Sequence, residues 1–417
     1  MKPIVFESNP SFWFETLRAL SHAAYGGADI GEVLVTAQQI TPGDYESWHD
    51  GWFGLGRRLQ ADAERSASGG HMTSARDSYL RSSNYYRCAE FYLHGTPDDP
   101  RINRAFNLSV EMYRRAAALF EVPIEPIEIP FEGTTLPGYF YSAGPGERPT
   151  VIVCSGFDGT LEENHFFGIA GLVERGYHVL SFDGPGQPGM MHREGMVFRP
   201  DWEVPTGAVL DYLLGQREGV DADRVAMMGV SMGGYLAPRA AAFDSRIKAV
   251  VAFDGCFDLA ENFLAALPGS PEEKVAALRA DSAPEIDQLL DGIKSVNPAI
   301  KWAFENGEWV LGAASPREVL RKLLDYNLAG GIAEKITCPT LVLAGATDLF
   351  LEGQPEKLFE NLTCEKTFGM FTEEEAADAH VQVGAMRLAI QPATSALAGP
   401  ATGLCTGRCD SPSSASP

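Results

Sequence analysis

Gly229-Val230-Ser231-Met232-Gly233 sets a hydroxyl between two glycines, a spacing suited to nucleophilic chemistry. A serine hydroxyl is a weak nucleophile until a base sits beside it, and its oxygen must stand clear of the backbone to be reached. A sharp turn from strand to helix achieves this through strained backbone angles. The apolar run Val225-Ala226-Met227-Met228 precedes the turn, and a helix-like stretch from Tyr235 to Phe243 follows it. Glycine at 229 and 233 removes side chains that would collide there. The helix N-terminus aims amides at the space above Ser231, where negative charge develops on an attacked carbonyl.

Strand, Gly-x-Ser-x-Gly, helix resembles the nucleophile elbow of the α/β-hydrolases. The resemblance implies a triad in the chain order serine, acid, histidine. Histidines stand at 22, 49, 71, 94, 165, 178, 192 and 380, and only His380 lies downstream of Ser231. His380 is therefore the expected base. The strand-like run from Thr340 to Ala344 leads into Gly345-Ala346-Thr347-Asp348. Asp348 then stands at a strand C-terminal end, where sites form in open α/β sheets. Its carboxylate would accept the imidazole N–H and fix tautomer and orientation. Glu373, Glu374, Glu375 and Asp378 compete, but they lie close to His380 in sequence and read as a solvated acidic loop. The oxyanion of the intermediate needs two backbone N–H groups. Met232, after the nucleophile, is one. Phe157 is the other, with Gly156 second, in the loop Ser155-Gly156-Phe157-Asp158-Gly159. Asp158, His165 and Tyr235 are candidates for substrate contact, and His192 is a further one at the mouth.

The elements that must hold these residues follow from periodicity. Residues 1–121 read as a helical domain, with Phe106, Val110, Tyr113 and Ala117 at helix spacing and many aromatic residues. Near Val122 the prolines 123, 126 and 130 break helices, and alternation through Tyr141 predicts an antiparallel hairpin. From there to 258, strands and helices alternate, the mark of a mostly parallel sheet covered on both faces. Residues 259–335 lose the alternation and predict a helical cap insertion. The sheet resumes over 336–391. A helix beginning at Met386 is expected to stop at Pro392, which leaves 392–417 as a disordered Ser/Ala/Gly/Pro-rich tail. The fold class is thus α/β, an α/β-hydrolase core with an N-terminal helical domain and a cap.

A formal net charge of −23 argues against nucleic acid and anionic membranes as partners, because both need clustered Lys and Arg. No run approaches the roughly 20 apolar residues of a bilayer span. The N-terminus lacks a signal-peptide pattern, and the seven cysteines are odd in number and mostly set in apolar runs. A cytoplasmic protein with free thiols is expected. No phosphate-binding Gly-rich loop and no His-Glu-x-x-His occurs, so neither cofactor nor metal is implied.

A narrower resemblance rests on Gly43-Asp44-Tyr45-Glu46-Ser47-Trp48, Ser74 to Arg81, Ser83-Asn84-Tyr85-Tyr86-Arg87, Ser155 to Thr160, Asp183-Gly184-Pro185-Gly186-Gln187 and Gly233 to Arg239. These are similar to 2,6-dihydroxypseudooxynicotine hydrolase and the fungal polyketide-shortening hydrolases of pigment pathways. The resemblance covers about residues 10 to 391. It implies hydrolysis of a carbon–carbon bond next to a ketone in a small molecule and a triad on Ser231, Asp348 and His380. It also implies an N-terminal domain that helps close the site, and a homodimer. The break at Pro392 departs from that pattern. An ester, thioester or amide hydrolase, or an acyltransferase, would use the same triad. A non-catalytic protein of the same fold is the third reading, against which the intact Ser231, Asp348 and His380 speak.

Overall fold

Strands form where apolar residues run or alternate, and the computed structural model describes residues 1–397. β1 (Glu125–Phe131) and β2 (Thr134–Tyr141) make the hairpin, turned through Glu132 and Gly133 at φ 40° and 86°. Positive φ at both turn residues matches the right-handed twist of the paired strands. β3 (Arg148–Cys154), β4 (His178–Phe182), β5 (Val220–Val230), β6 (Ala249–Phe253), β7 (Thr340–Gly345) and β8 (Lys366–Phe371) complete one eight-stranded sheet. Its order is β1-β2-β4-β3-β5-β6-β7-β8, antiparallel as far as β4 and parallel from there on. Parallel pairing brings the C-terminal ends of β3, β5, β6 and β7 to one edge of the sheet. The loops that leave those ends carry Phe157, Ser231, Asp254 and Asp348.

Side chains alternate across the sheet and divide the core in two. Val151, Val153, Val179, Met228 and Leu343 face the N-terminal helices Pro10–Ser21, Ile30–Ala37, Tyr45–Ser68, Met72–Glu90 and Pro100–Ala117. Ile152, Leu180, Met227, Val250 and Val342 face the other way, against the helices Glu203–Gln216 and Gly233–Ala241 and the cap. Most aromatic residues of the N-terminal domain pack its own helices together. Phe12 lies 4.6 Å from Trp48 and 4.8 Å from Tyr92, and Trp48 lies 5.6 Å from Trp52.

The segment 259–335, expected as a cap, holds helices Glu261–Ala265, Pro271–Arg279, Pro284–Val296, Pro298–Val310 and Pro316–Leu323. Four of them open on proline, whose missing N–H is no loss at a first helical position. The cap is tied to the N-terminal domain: the Trp302 indole N–H donates to the Phe91 carbonyl at 2.7 Å, and the two rings stack at 4.3 Å.

The C-terminal expectation needs correction. The helix Met386–Leu397 runs through Pro392 instead of stopping there. An interior proline loses one backbone hydrogen bond and costs about 3 kcal/mol. Burial of Met386, Ala389, Ile390 and Ala393 against the N-terminal side of the core offsets it, and the Tyr177 hydroxyl donates to the Thr394 carbonyl at 3.1 Å. The rest of the expected tail, 398–417, lies outside the described residues, as do Cys405 and Cys409.

Candidate active site

Ser231 sits at φ 60°, the left-handed state expected of a nucleophile held on a tight turn. Its N–H donates to the Phe253 carbonyl at 2.9 Å, which locks the turn to the end of β6. The glycines are obligatory. A Cβ on Gly229 would fall 1.9 Å from the Gly233 carbonyl oxygen, and one on Gly234 would fall 2.0 Å from that of Asp254.

The structure brings Ser231, His380 and Asp348 into one line. His380 Nε2 lies 2.8 Å from Ser231 Oγ, and Nδ1 lies 2.7 Å from Asp348 Oδ2. Asp348 Oδ1 accepts the N–H groups of Phe350 and Leu351 at 2.7 and 3.1 Å, which aims Oδ2 at the ring. Burial pushes the Asp348 carboxyl up, but His380 and these N–H groups outweigh it and hold it below its ordinary range. Burial works against charge on His380, and Asp348 and Asp254 outweigh it, raising the imidazole above its ordinary 6.5. Asp254 was absent from the sequence reading. It stands directly after β6, fully buried, with Oδ2 3.3 Å from His380 Nδ1. The four acids near 380 in sequence stay off the imidazole: Glu373 to Glu375 lie in an exposed turn, and Asp378 accepts from Thr347 at 2.7 Å.

The loop after β3 lies against the elbow. A Cβ on Gly156 would meet the Met232 nitrogen at 2.8 Å, so the backbone at 156 and the Met232 amide share one small space. The loop is tied down from three directions. Gln187 Nε2 donates to the Ser155 carbonyl at 2.8 Å, from the Asp183-to-Gln187 segment. Asn306 Nδ2, on the cap helix Pro298–Val310, donates to the Phe157 carbonyl at 3.2 Å. Arg18, on the first helix, donates to Asp158 at 2.6 Å and makes a two-pronged contact with Glu163 at 2.8 and 2.6 Å. Burial pushes Glu163 up, but Arg18, Arg87 and His22 overcome it and bring the carboxyl down to about 2. The N-terminal domain and the cap thus both reach the same five-residue loop.

Of the expected substrate contacts, Asp158 is near the elbow, but its carboxylate is engaged by Arg18. His165 is elsewhere. It is buried, with Nδ1 3.2 Å from the Tyr113 hydroxyl and its ring between Phe120, Tyr141 and Phe166. Burial, aided by Arg76, lowers it to about 3, so it is a neutral packing residue. Tyr235 points into the core behind the elbow, where its hydroxyl donates to the Pro200 carbonyl at 2.8 Å and its ring meets Tyr326. His192 stacks on Phe106 at 3.8 Å and meets Trp309. The rings that do approach the imidazole are Phe350 at 5.0 Å and Phe14 at 6.3 Å. Helices Pro10–Ser21 and Pro298–Val310 fall in segments expected to be helical, but neither was singled out from the sequence, so the contacts of Phe14, Arg18, Trp302 and Asn306 were missed. The proline at the first position of each, after Asn9 and Asn297, was the available signal.

An eight-stranded, mostly parallel sheet with a serine on a strand-to-helix elbow defines the class. The Alpha/beta hydrolase family model matches residues 151–384, from β3 to just past His380, and the chain belongs to that family. Hydrolase LUC6 of Fusarium sp is 37% identical over 393 residues, covering 90% of this chain and 93% of that protein. 20-hydroxy-prefusarin hydrolase FUS2 of Gibberella moniliformis is 39% identical, covering 84% and 86%. Coverage of this extent takes in the N-terminal helices as well as the core. Among solved structures, 2,6-dihydroxy-pseudo-oxynicotine hydrolase is similar in fold, with a TM-score of 0.69 at 23% identity over 91% of this chain and 94% of that one. Among the described residues no helix is long and apolar enough to cross a membrane.

Proposed function

We propose that the protein is a serine hydrolase that cleaves a carbon–carbon bond next to a ketone in a polyketide-like or aromatic substrate. The observation that supports the serine-hydrolase part of the reading is the hydrogen-bonded line from Ser231 Oγ through His380 to Asp348, with the Gly156 backbone against the Met232 amide. Ser231 Oγ attacks the ketone carbon while His380 Nε2 takes its proton. The oxygen becomes an oxyanion held by the Met232 and Phe157 amides. The carbon–carbon bond then breaks, its electron pair passes to the leaving carbon, and His380 returns the proton there. The acyl group stays on Ser231 until water, deprotonated by His380, releases it as a carboxylic acid.

A carbanion is a poor leaving group, so the substrate must delocalise it, as a β-diketone or polyhydroxyaryl ketone does. The aromatic surroundings suit such a ring: Phe14 and Phe350 lie beside His380, and Phe157 lies 6.3 Å from Phe198 and 6.5 Å from Trp302. The relative named for 20-hydroxy-prefusarin supports a small-molecule substrate of fungal secondary metabolism. We take the protein to act in the cytoplasm as a homodimer, which sedimentation would check. Wild type and Ser231→Ala, each given phloroacetophenone and p-nitrophenyl acetate, test the function. Phloroglucinol release by wild type alone supports it. Rapid ester turnover with the ketone untouched favours an esterase or acyltransferase instead.

A further inference from the structure

We infer that Asp254 is a second acid for His380, fixing the turn that carries the imidazole and standing ready to accept its Nδ1–H alongside Asp348. The inference rests on the triad reading above and adds a residue to it. Asp254 Oδ1 accepts from Gln382 Nε2 at 2.6 Å, and Oδ2 accepts from the Val381 N–H while lying 3.3 Å from His380 Nδ1. One carboxylate therefore touches three consecutive residues of the base-bearing turn.

That turn needs holding. Val381 and Gln382 sit at φ 46° and 49°, and Asp254 itself at 56°. Left-handed backbone is unusual outside glycine and a true outlier for a β-branched residue such as Val381. It persists only where neighbours over-determine it. The Asp254 carboxylate supplies that, because an acceptor at this spot satisfies the N–H that the turn directs inward. Asp254 is also joined to the nucleophile: the Ser231 N–H bonds to Phe253, and the Asp254 carbonyl oxygen leaves no space for a Cβ on Gly234. The end of β6 thus sets nucleophile and base relative to each other. Burial and the neighbouring Asp348 carboxylate push the Asp254 carboxyl up, while His380, Gln382 and the Val381 N–H favour its ionised form. The charged groups facing His380 are Asp348 from the loop after β7 and Asp254 from the end of β6, while Phe14 and Phe350 are apolar. Asp254 acts through His380, so it is a positioning residue.

The test uses the full chain and a fluorophosphonate probe of Ser231, read as labelling rate against pH, with thermal melting as a folding control. In Asp254→Asn the lost negative charge should lower the imidazole pKa. The ascending limb should move to lower pH by about one unit while the plateau rate falls about 10-fold. Asp348→Ala should keep a rate about 10-fold above that of Asp348→Ala combined with Asp254→Asn, because Asp254 still holds the ring. A lowered melting temperature with an unmoved limb marks a structural role only and overturns the inference, as does a double variant no slower than Asp348→Ala. If Asp254→Asn does not fold, Gln382→Leu removes only the Oδ1 partner. It should move the limb the same way by a smaller step, and an unmoved limb overturns the inference. Wild type that takes no label, or Ser231→Ala that does, would sink the triad reading itself.

Discussion

Replacing Gly156 with alanine sets a methyl group against the backbone proposed to form the oxyanion side of the site. The new carbon would lie 2.8 Å from the Met232 nitrogen, 2.8 Å from the Val230 carbonyl oxygen and 2.9 Å from Ser231 Cβ. Normal contact begins near ~3.5 Å, so the loop must recoil by about 0.7 Å. The elbow cannot yield, because Gly229 already abuts Gly233 and Gly234 abuts Asp254. The loop moves instead, carrying the Phe157 amide off target while the methyl shields the Met232 N–H. Losing one such donor lowers the rate by about 10²–10³, or about 3–4 kcal/mol in the barrier. Overpacking costs about 1–3 kcal/mol of stability, which a domain of this size tolerates. The assay is kcat/KM for p-nitrophenyl acetate together with the fluorophosphonate labelling rate, below the melting transition of both proteins. A Gly156→Ala protein that melts like wild type and works within threefold of its rate would refute the argument.

Other consequences can be measured separately. In the proposed mechanism His380 acts as a neutral base, and Asp348 and Asp254 raise its pKa, so kcat/KM should climb with a midpoint above the ordinary 6.5. A midpoint at or below 6.5 contradicts the site electrostatics. Acid should unfold the protein through buried neutral histidines. Burial lowers His22 to about 4 and His165 to about 3, both from 6.5. Between pH 6.5 and those values the unfolded chain binds protons that the folded one refuses, so stability is full above 6.5 and falls below it. By pH 4.5 the loss should reach about 2–3 kcal/mol per histidine. Urea midpoints should therefore drop steadily from pH 7 to 4.5, and His165→Phe should flatten the slope. Asn306→Ala removes the tie to Phe157 and leaves His94 Nδ1, now 2.9 Å from Asn306, without its partner. It should lose about 1–3 kcal/mol of stability and about 10-fold in kcat. Unchanged kcat would mean that the cap does not steady the loop.

Ser231 was legible because an elbow is a local device: strand, glycine spacing and helix all lie within a few residues. His380 followed by elimination, and Asp348 from a strand end. Asp254 ends a strand in the same way, yet nothing local marks it, because its role depends on β6 lying beside β7 and on the left-handed turn at Val381 and Gln382. Arg18 and Asn306 belong to the same class, since their partners Asp158, Glu163 and Phe157 are remote in sequence. His165 and Tyr235 show the reverse: in sequence they lie near the candidate site, but their side chains turn into the core. At Pro392 local propensity pointed to a helix end, and tertiary burial of Ile390 and Ala393 prevailed.

The central claim is that Ser231 takes an acyl group from a carbon leaving group. Rapid acid quench of the enzyme with phloroacetophenone, followed by peptide mass analysis, tests it directly. The account predicts one acetyl group on the peptide containing Ser231, formed with release of phloroglucinol and absent in Ser231→Ala. An enzyme that acquires acetyl on Ser231 from p-nitrophenyl acetate but none from the ketone would contradict it.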